Sequence, residues 1–269
     1  MEIMTIRQSA VKNARLLLVI ALLVTAIPAP GSETAAPAAS DDSEARMIVE
    51  KADHVRFPAD GFQVDVTVTT VDKEQNKEQK ADIRKYRILA KGNANSVVMV
   101  VEPASDRGQI MLMKGRDLWV FMPEVSQPIR LALSQRLTGQ VANGDLARAN
   151  FTGDYNPKLL RIEKVDGDDH YVLELTGSDR SVTYQKVIYW VRAKDYSPHK
   201  AEFYSLSNRL LKTCRYENYR AMEGKRRPAR LVMEDALRGG EQSVLDYTGM
   251  KSRDLPDKVF TKDYLKKLE

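Results

Sequence analysis

The chain has 269 residues, 43% of them hydrophobic and 29% charged, a globular balance that excludes a low-complexity or collagen-like polymer. Beyond residue 27 there are 39 Lys and Arg against 36 Asp and Glu, interleaved along the chain, so no basic stripe of the kind that reads nucleic acid stands out. Cys214 is the one cysteine, which excludes an internal disulfide and a C-x-x-C motif.

Arg7, Lys12 and Arg15 precede an uncharged apolar run over 16–27. Such a run fits the core of a secretory signal and is shorter than the ~20 residues that span a bilayer comfortably. Residues 1–27 therefore read as a cleavable signal peptide, and 28–42, rich in Pro, Ala and Ser, as a flexible leader. No second apolar run of that length follows, so a soluble exported protein is expected, with 43–269 as a single domain.

Asp41 and Glu44 have capping-box spacing, and Ile48, Ala52 and Val55 recur at helical intervals; Pro58 stops this helix near Arg56. The period then changes to two. Phe62, Val64, Val66 and Val68 alternate with Gln63, Asp65, Thr67 and Thr69, which predicts a half-buried strand. Further strands are predicted over 83–89, 96–101, 110–113 and 118–122. The hairpin over 110–122 is apolar on both faces, as a strand is when both are covered. Residues 134–151 break the rhythm. Leu137 and Val141 are four apart, glycines interrupt, and Asp145 can cap a turn holding Leu146, so short helices forming a lid are expected. Strands resume over 160–165, 171–175, 186–191, 200–204, 210–216, 230–234 and 243–250, with Asp166-Gly167 as a hairpin turn, and a short helix closes the tail over 260–268. The predicted fold class is mainly β (α+β): an antiparallel half-barrel or open β-barrel of about eleven strands with a few short helices over its concave face.

No chemistry stands out. His54, His170 and His199 lack metal-ligand spacing, and there is no G-x-S-x-G, P-loop or dinucleotide fingerprint, so no catalytic residue, metal or cofactor is expected. Asp166, Asp168 and Asp169 read as turn residues rather than a calcium loop, and Cys214 as a buried strand residue. Lys225, Arg226, Arg227 and Arg230 form the densest basic run, either a solvated loop or a contact for anionic lipid or a membrane partner.

Several of these pieces, in their order, resemble the LolA-like outer membrane lipoprotein-sorting protein family. They are the opening helix with Phe57-Pro58; Val101-Glu102-Pro103 leading to Gly108; Trp119 to Pro123 with Arg130; Gly139-Gln140 with Gly144-Asp145-Leu146; Pro198 to Tyr204; and Leu255-Pro256-Asp257 with Phe260-Thr261 and Tyr264-Leu265. The resemblance is to the broad branch rather than the dedicated lipoprotein carrier. It implies an open barrel whose hydrophobic cavity carries acyl chains of a lipid or lipidated protein through the periplasm, beside an inner-membrane exporter. On that reading Val64, Val66, Val68, Leu112, Trp119 and Phe121 line the cavity, and Leu137, Val141 and Leu146 form the lid. The expectation is a non-enzymatic monomer that binds no nucleic acid. Two readings compete: a sensor or adaptor of the same fold that moves no cargo, and a hydrolase using a carboxylate pair.

Overall fold

The structure, a computed structural model, describes residues 40–72, 81–148, 150–237 and 240–265. The signal peptide and most of the leader lie outside the described residues.

The first helix, α1 (Ser40–Arg56), buries Ala45, Ile48, Val49, Ala52, Asp53 and Arg56, a stripe at three- and four-residue steps. Burying Ile48 and Val49 contributes about 1.5–3 kcal/mol each. The helix ends where the sequence predicts. Phe57 N donates to Asp53 O (2.9 Å), and Pro58 follows. The last carbonyls are capped from a distant strand: Arg227 Nη1 donates to His54 O (2.8 Å) and Val55 O (3.1 Å).

The first meander is β1 (Phe62–Asp72), β2 (Asp82–Lys91), β3 (Asn95–Glu102), β4 (Ile110–Lys114), β5 (Asp117–Phe121) and β6 (Ile129–Leu131). A short hairpin, β7 (Arg136–Thr138) with β8 (Val141–Ala142), leads into a one-turn helix, α2 (Asn143–Ala147). The second meander runs β9 (Tyr155–Val165), β10 (Asp168–Gly177), β11 (Lys186–Arg192), β12 (Pro198–Tyr204), β13 (Leu210–Met222), β14 (Lys225–Asp235) and β15 (Glu241–Ser252). Antiparallel pairing of β1 with β15 joins the two meanders into one sheet of 13 strands, ordered β6-β5-β4-β3-β2-β1-β15-β14-β13-β12-β11-β10-β9. The edges β6 and β9 do not pair with each other, so the sheet is an open half-barrel.

Alternation decides what each face buries. Val64, Val66 and Val68 point into the main core with Tyr86, Ile88, Met111, Met113, Leu173, Tyr189 and Leu245, and α1 packs over them against β9, β12 and β14. On the other face of β3 to β5 a smaller core gathers Val97, Ile110 and Leu112 under Leu255, Val259, Phe260 and Leu265. Leu255 precedes a 3-10 turn at Asp257–Phe260, which holds Val259 and Phe260, and Leu265 ends α3 (Lys262–Leu265). This second cover explains why the 110–122 hairpin is apolar on both faces. At Asp166 (φ 51°) and Gly167 (φ 89°) the backbone is left-handed twice in succession, the signature of a two-residue hairpin turn.

The sequence-predicted helices over 134–151 are only partly present. The segment is a β-hairpin followed by a single helical turn, because Gly139 (φ 48°) reverses the chain between β7 and β8. Gly139 also sits tight: a Cβ there would collide with Ser243 Oγ and with Thr70 Oγ1 and Cγ2. We expect Gly139→Ala to destabilise the protein by about 1–3 kcal/mol through the combined φ strain and overpacking, read by urea denaturation; a neutral result would contradict this docking.

Candidate functional site

Residues 132–148 and 150–154 form a strap over the main core. Its apolar members Leu133, Val141, Leu146, Ala147 and Phe151 enter the main core. Its fastenings are polar. Lys212, on β13, donates from Nζ to Asp145 Oδ2 (2.8 Å) and to Gln140 O, while Tyr184 and Phe203 place their rings 4.9 and 5.5 Å from the ammonium. Asp145 also accepts from Tyr184 Oη (2.7 Å) and from Ala142 N (2.8 Å), which holds the first turn of α2. Burial and the Asp145 carboxylate hold the Tyr184 hydroxyl well above its ordinary range, so it stays a donor. Gln140 N donates to Ser243 Oγ (2.9 Å), and Ser96 Oγ donates to Ala147 O (2.7 Å). Arg148 closes on Asp154 and donates to Asn93 O (2.5 Å). At the far end Asp53 accepts from Phe151 N (3.0 Å), Thr152 N (2.8 Å) and Thr152 Oγ1 (2.7 Å).

Two small cavities lie under the strap and share Asp145, Arg148 and Asn150 in their walls. One, of ≈30 Å³, is bounded by Phe57, Phe62, Val64, Ile88, Met113, Leu146 and Tyr247. The other, of ≈20 Å³, meets Arg56, Phe151, Tyr155, Tyr184, Phe203 and Tyr216. Each has room for no more than a water or two. With the strap down, the space between sheet and lid is filled by side chains.

Of the sequence-predicted cavity residues, the structure brings Val64 to the first cavity, and places Val66 and Val68 in the same core without lining it. Leu112, Trp119 and Phe121 belong to the smaller core on the opposite face, where Lys262 Nζ stands 5.1 Å from the Trp119 ring. Among the lid residues, Leu146 lines the first cavity, Val141 is buried in the main core and Leu137 packs against it. Sequence reasoning missed Asp53, Arg56, Phe57, Phe62, Met113 and Tyr247. Asp53 and Arg56 had a signal, since both fall on the buried stripe of α1, where a charge is unusual.

Arg227 is buried beneath α1, Arg226 stacks on Tyr219 (5.4 Å) and Arg230 pairs with Asp246 (2.8 Å), so most of the basic run is tied to its own fold. Cys214 is buried, and burial pushes its thiol up to about 12, so it stays protonated. His170 and His199 place their rings 4.8 Å apart. Burial and the neighbouring His170 hold His199 below its ordinary 6.5. The folded state thus binds fewer protons than the unfolded one just below that value, and stability falls as pH drops through 6.5. Thermal melts from about pH 7.5 to about 5.5 should show a falling Tm whose slope is reduced in His199→Gln. An unchanged slope in the variant would remove His199 from the effect.

A family model described as "-like: Uncharacterized protein" matches residues 92–267. None of the curated proteins compared matches the chain. Among solved structures, a LolA superfamily protein from Nitrosomonas europaea is 65% identical, with a TM-score of 0.78 over 82% of this chain and 98% of that one. The chain belongs to the LolA superfamily. Two more distant neighbours share the fold. A DUF1329 family protein from Desulfovibrio piger is 20% identical (TM-score 0.71, 84% of this chain, 99% of that one). An outer membrane lipoprotein-sorting protein domain from Vibrio parahaemolyticus is 21% identical (TM-score 0.69, 84% and 99%). In this LolA superfamily member, then, the half-barrel is plugged by its own strap.

Proposed function

We propose that the protein is a non-enzymatic periplasmic carrier that receives acyl chains of a lipid or lipidated protein between the concave sheet and the strap. One observation carries this reading: the apolar floor of the half-barrel is covered by a short segment whose fastenings are polar and separable from its apolar plug. The magnitudes allow exchange. Each methylene taken from water contributes ~0.8 kcal/mol, so a chain of about 15 methylenes gains about 12 kcal/mol. Leu133, Val141, Leu146 and Phe151 of the strap bury side chains worth about 1.5–3 kcal/mol each, about 6–12 kcal/mol together. Cargo and plug are matched closely enough for uptake and release. An inner-membrane exporter is the partner we propose for loading.

Delipidated protein incubated with acylated lipid should bind it in native mass spectra, and amides over 139–148 should exchange faster in the loaded form. Absence of uptake, together with stoichiometric capture of a membrane partner, would instead favour an adaptor of the same fold.

A further inference from the structure

The second cavity contains a buried cation without its full set of partners. Arg56 is 6% exposed, yet no hydrogen bond reaches its Nη1. Nη1 stands 3.5 Å from Asp53 Oδ1, an ion pair without a hydrogen bond, while the donors from Phe151 and Thr152 all reach the other oxygen, Oδ2. Phe57, Phe151 and Tyr216 present their rings 5.1 to 5.5 Å from the guanidinium, which favours the charge but takes up no N–H. The Tyr189 hydroxyl, on a ring packed 5.1 Å from Phe151 and 6.1 Å from Tyr216, is also buried without a partner. Orphaned polar atoms at this depth are rare and ask for an occupant.

The charges around this cavity already cancel. Arg56 faces Asp53, Lys212 pairs with Asp145, Arg148 with Asp154, and Arg116 with Asp179. An ionised carboxylate brought here would add an uncompensated charge to a low-dielectric site, whereas a neutral carbonyl oxygen accepts the free N–H at no such cost. We propose that Arg56 is a polar anchor for cargo. Its Nη1 donates to the carbonyl oxygen of an ester- or amide-linked acyl chain, and the protein thereby takes acylated lipids in preference to free fatty acids. This rests on the acyl-binding reading above and adds the chemistry of the head.

The test measures displacement of a fluorescent hydrocarbon by methyl palmitate, palmitate and hexadecane, each delivered from cyclodextrin. Methyl palmitate should bind the wild-type protein about 10- to 100-fold more tightly than hexadecane, the range for a hydrogen bond to a charged group, and at least about tenfold more tightly than palmitate. In Arg56→Met the affinity for hexadecane should be retained within about threefold and the ester preference lost. Should that variant fail to fold, the wild-type complex with carbonyl-13C methyl palmitate serves instead: its C=O infrared band should move to lower frequency than in hexane. Equal affinity for ester and hexadecane, or an unshifted band, overturns the anchor and leaves the cavity to water, with acyl binding intact. Tighter binding of palmitate than of the ester overturns the neutral-carbonyl assignment. If none of the three probes binds, the acyl-binding reading falls with it.

Discussion

Lys212→Met should lower stability by about 3–5 kcal/mol, the range for removing one partner of a buried ion pair. Lys212 and Asp145 are 5% and 8% exposed, so neither charge finds water when the other is removed. The substituted Met keeps the stem packed against Tyr184 and Phe203, and the loss therefore reports on charge rather than on a cavity. Asp145 would remain as a buried carboxylate still accepting from Ala142 N and Tyr184 Oη. Neutralising it in turn, in Lys212→Met with Asp145→Asn, should recover more than half of the loss, because an amide oxygen still accepts one of those bonds. Urea denaturation of the two single variants and the double variant gives the coupling directly. A loss below about 1 kcal/mol in Lys212→Met would place the pair in effectively solvated surroundings. Hydrogen exchange should rise over 139–148 and little elsewhere, since Lys212 Nζ holds both Gln140 O and Asp145.

The sheet was readable because its strands obey a period of two over long stretches. Phe62 to Val68 alternate cleanly, and the strand they predict is the one that pairs with both β2 and β15. Short edge strands carried no such signal. Ile129–Leu131 has only three residues, two of them exposed, and Arg136–Thr138 is set in a glycine-bounded loop whose pairing depends on Gly139. Which face is inward was legible only where polar residues mark the other face. Val64 announces its side through Asp65, but the 110–122 hairpin is apolar throughout. Met111 and Met113 face the main core while Leu112 faces the tail, a distinction made by residues 255–265 far along the chain. The polar part of the site was hidden for a different reason. Ile48, Ala52 and Val55 suggested one stripe for α1, whereas burial follows Ala45, Ile48, Val49, Ala52, Asp53 and Arg56, and periodicity weighs apolar residues only. A charged pair on a core-facing stripe is legible as an anomaly, but its partners, the amides of Phe151 and Thr152, are supplied by tertiary structure.

Asp53→Asn should cost about 3–5 kcal/mol despite being nearly isosteric. The carboxylate of Asp53 receives the two backbone N–H groups of Phe151 and Thr152 and the hydroxyl of Thr152, and it is the counter-charge of Arg56. An amide oxygen can keep those three donors, which all reach Oδ2, but its NH2 group then replaces the Oδ1 that faces Arg56, and Arg56 is left as a buried cation among aromatic rings. Thr152→Val separates the contributions: it removes one donor, leaves the charges alone and should cost about 1 kcal/mol. If Asp53→Asn costs no more than Thr152→Val, the ion pair with Arg56 contributes nothing and the carboxylate acts only as an acceptor. Asp53 and Lys212 hold opposite ends of one strap from different elements, α1 and β13, and no side chain is shared between their contacts. Their losses should therefore add within about 0.5 kcal/mol in the double variant, with exchange rising over 150–154 for Asp53→Asn and over 139–148 for Lys212→Met. A strongly non-additive result would mean that the strap opens as one cooperative unit, so that release at either end uncovers the whole apolar floor.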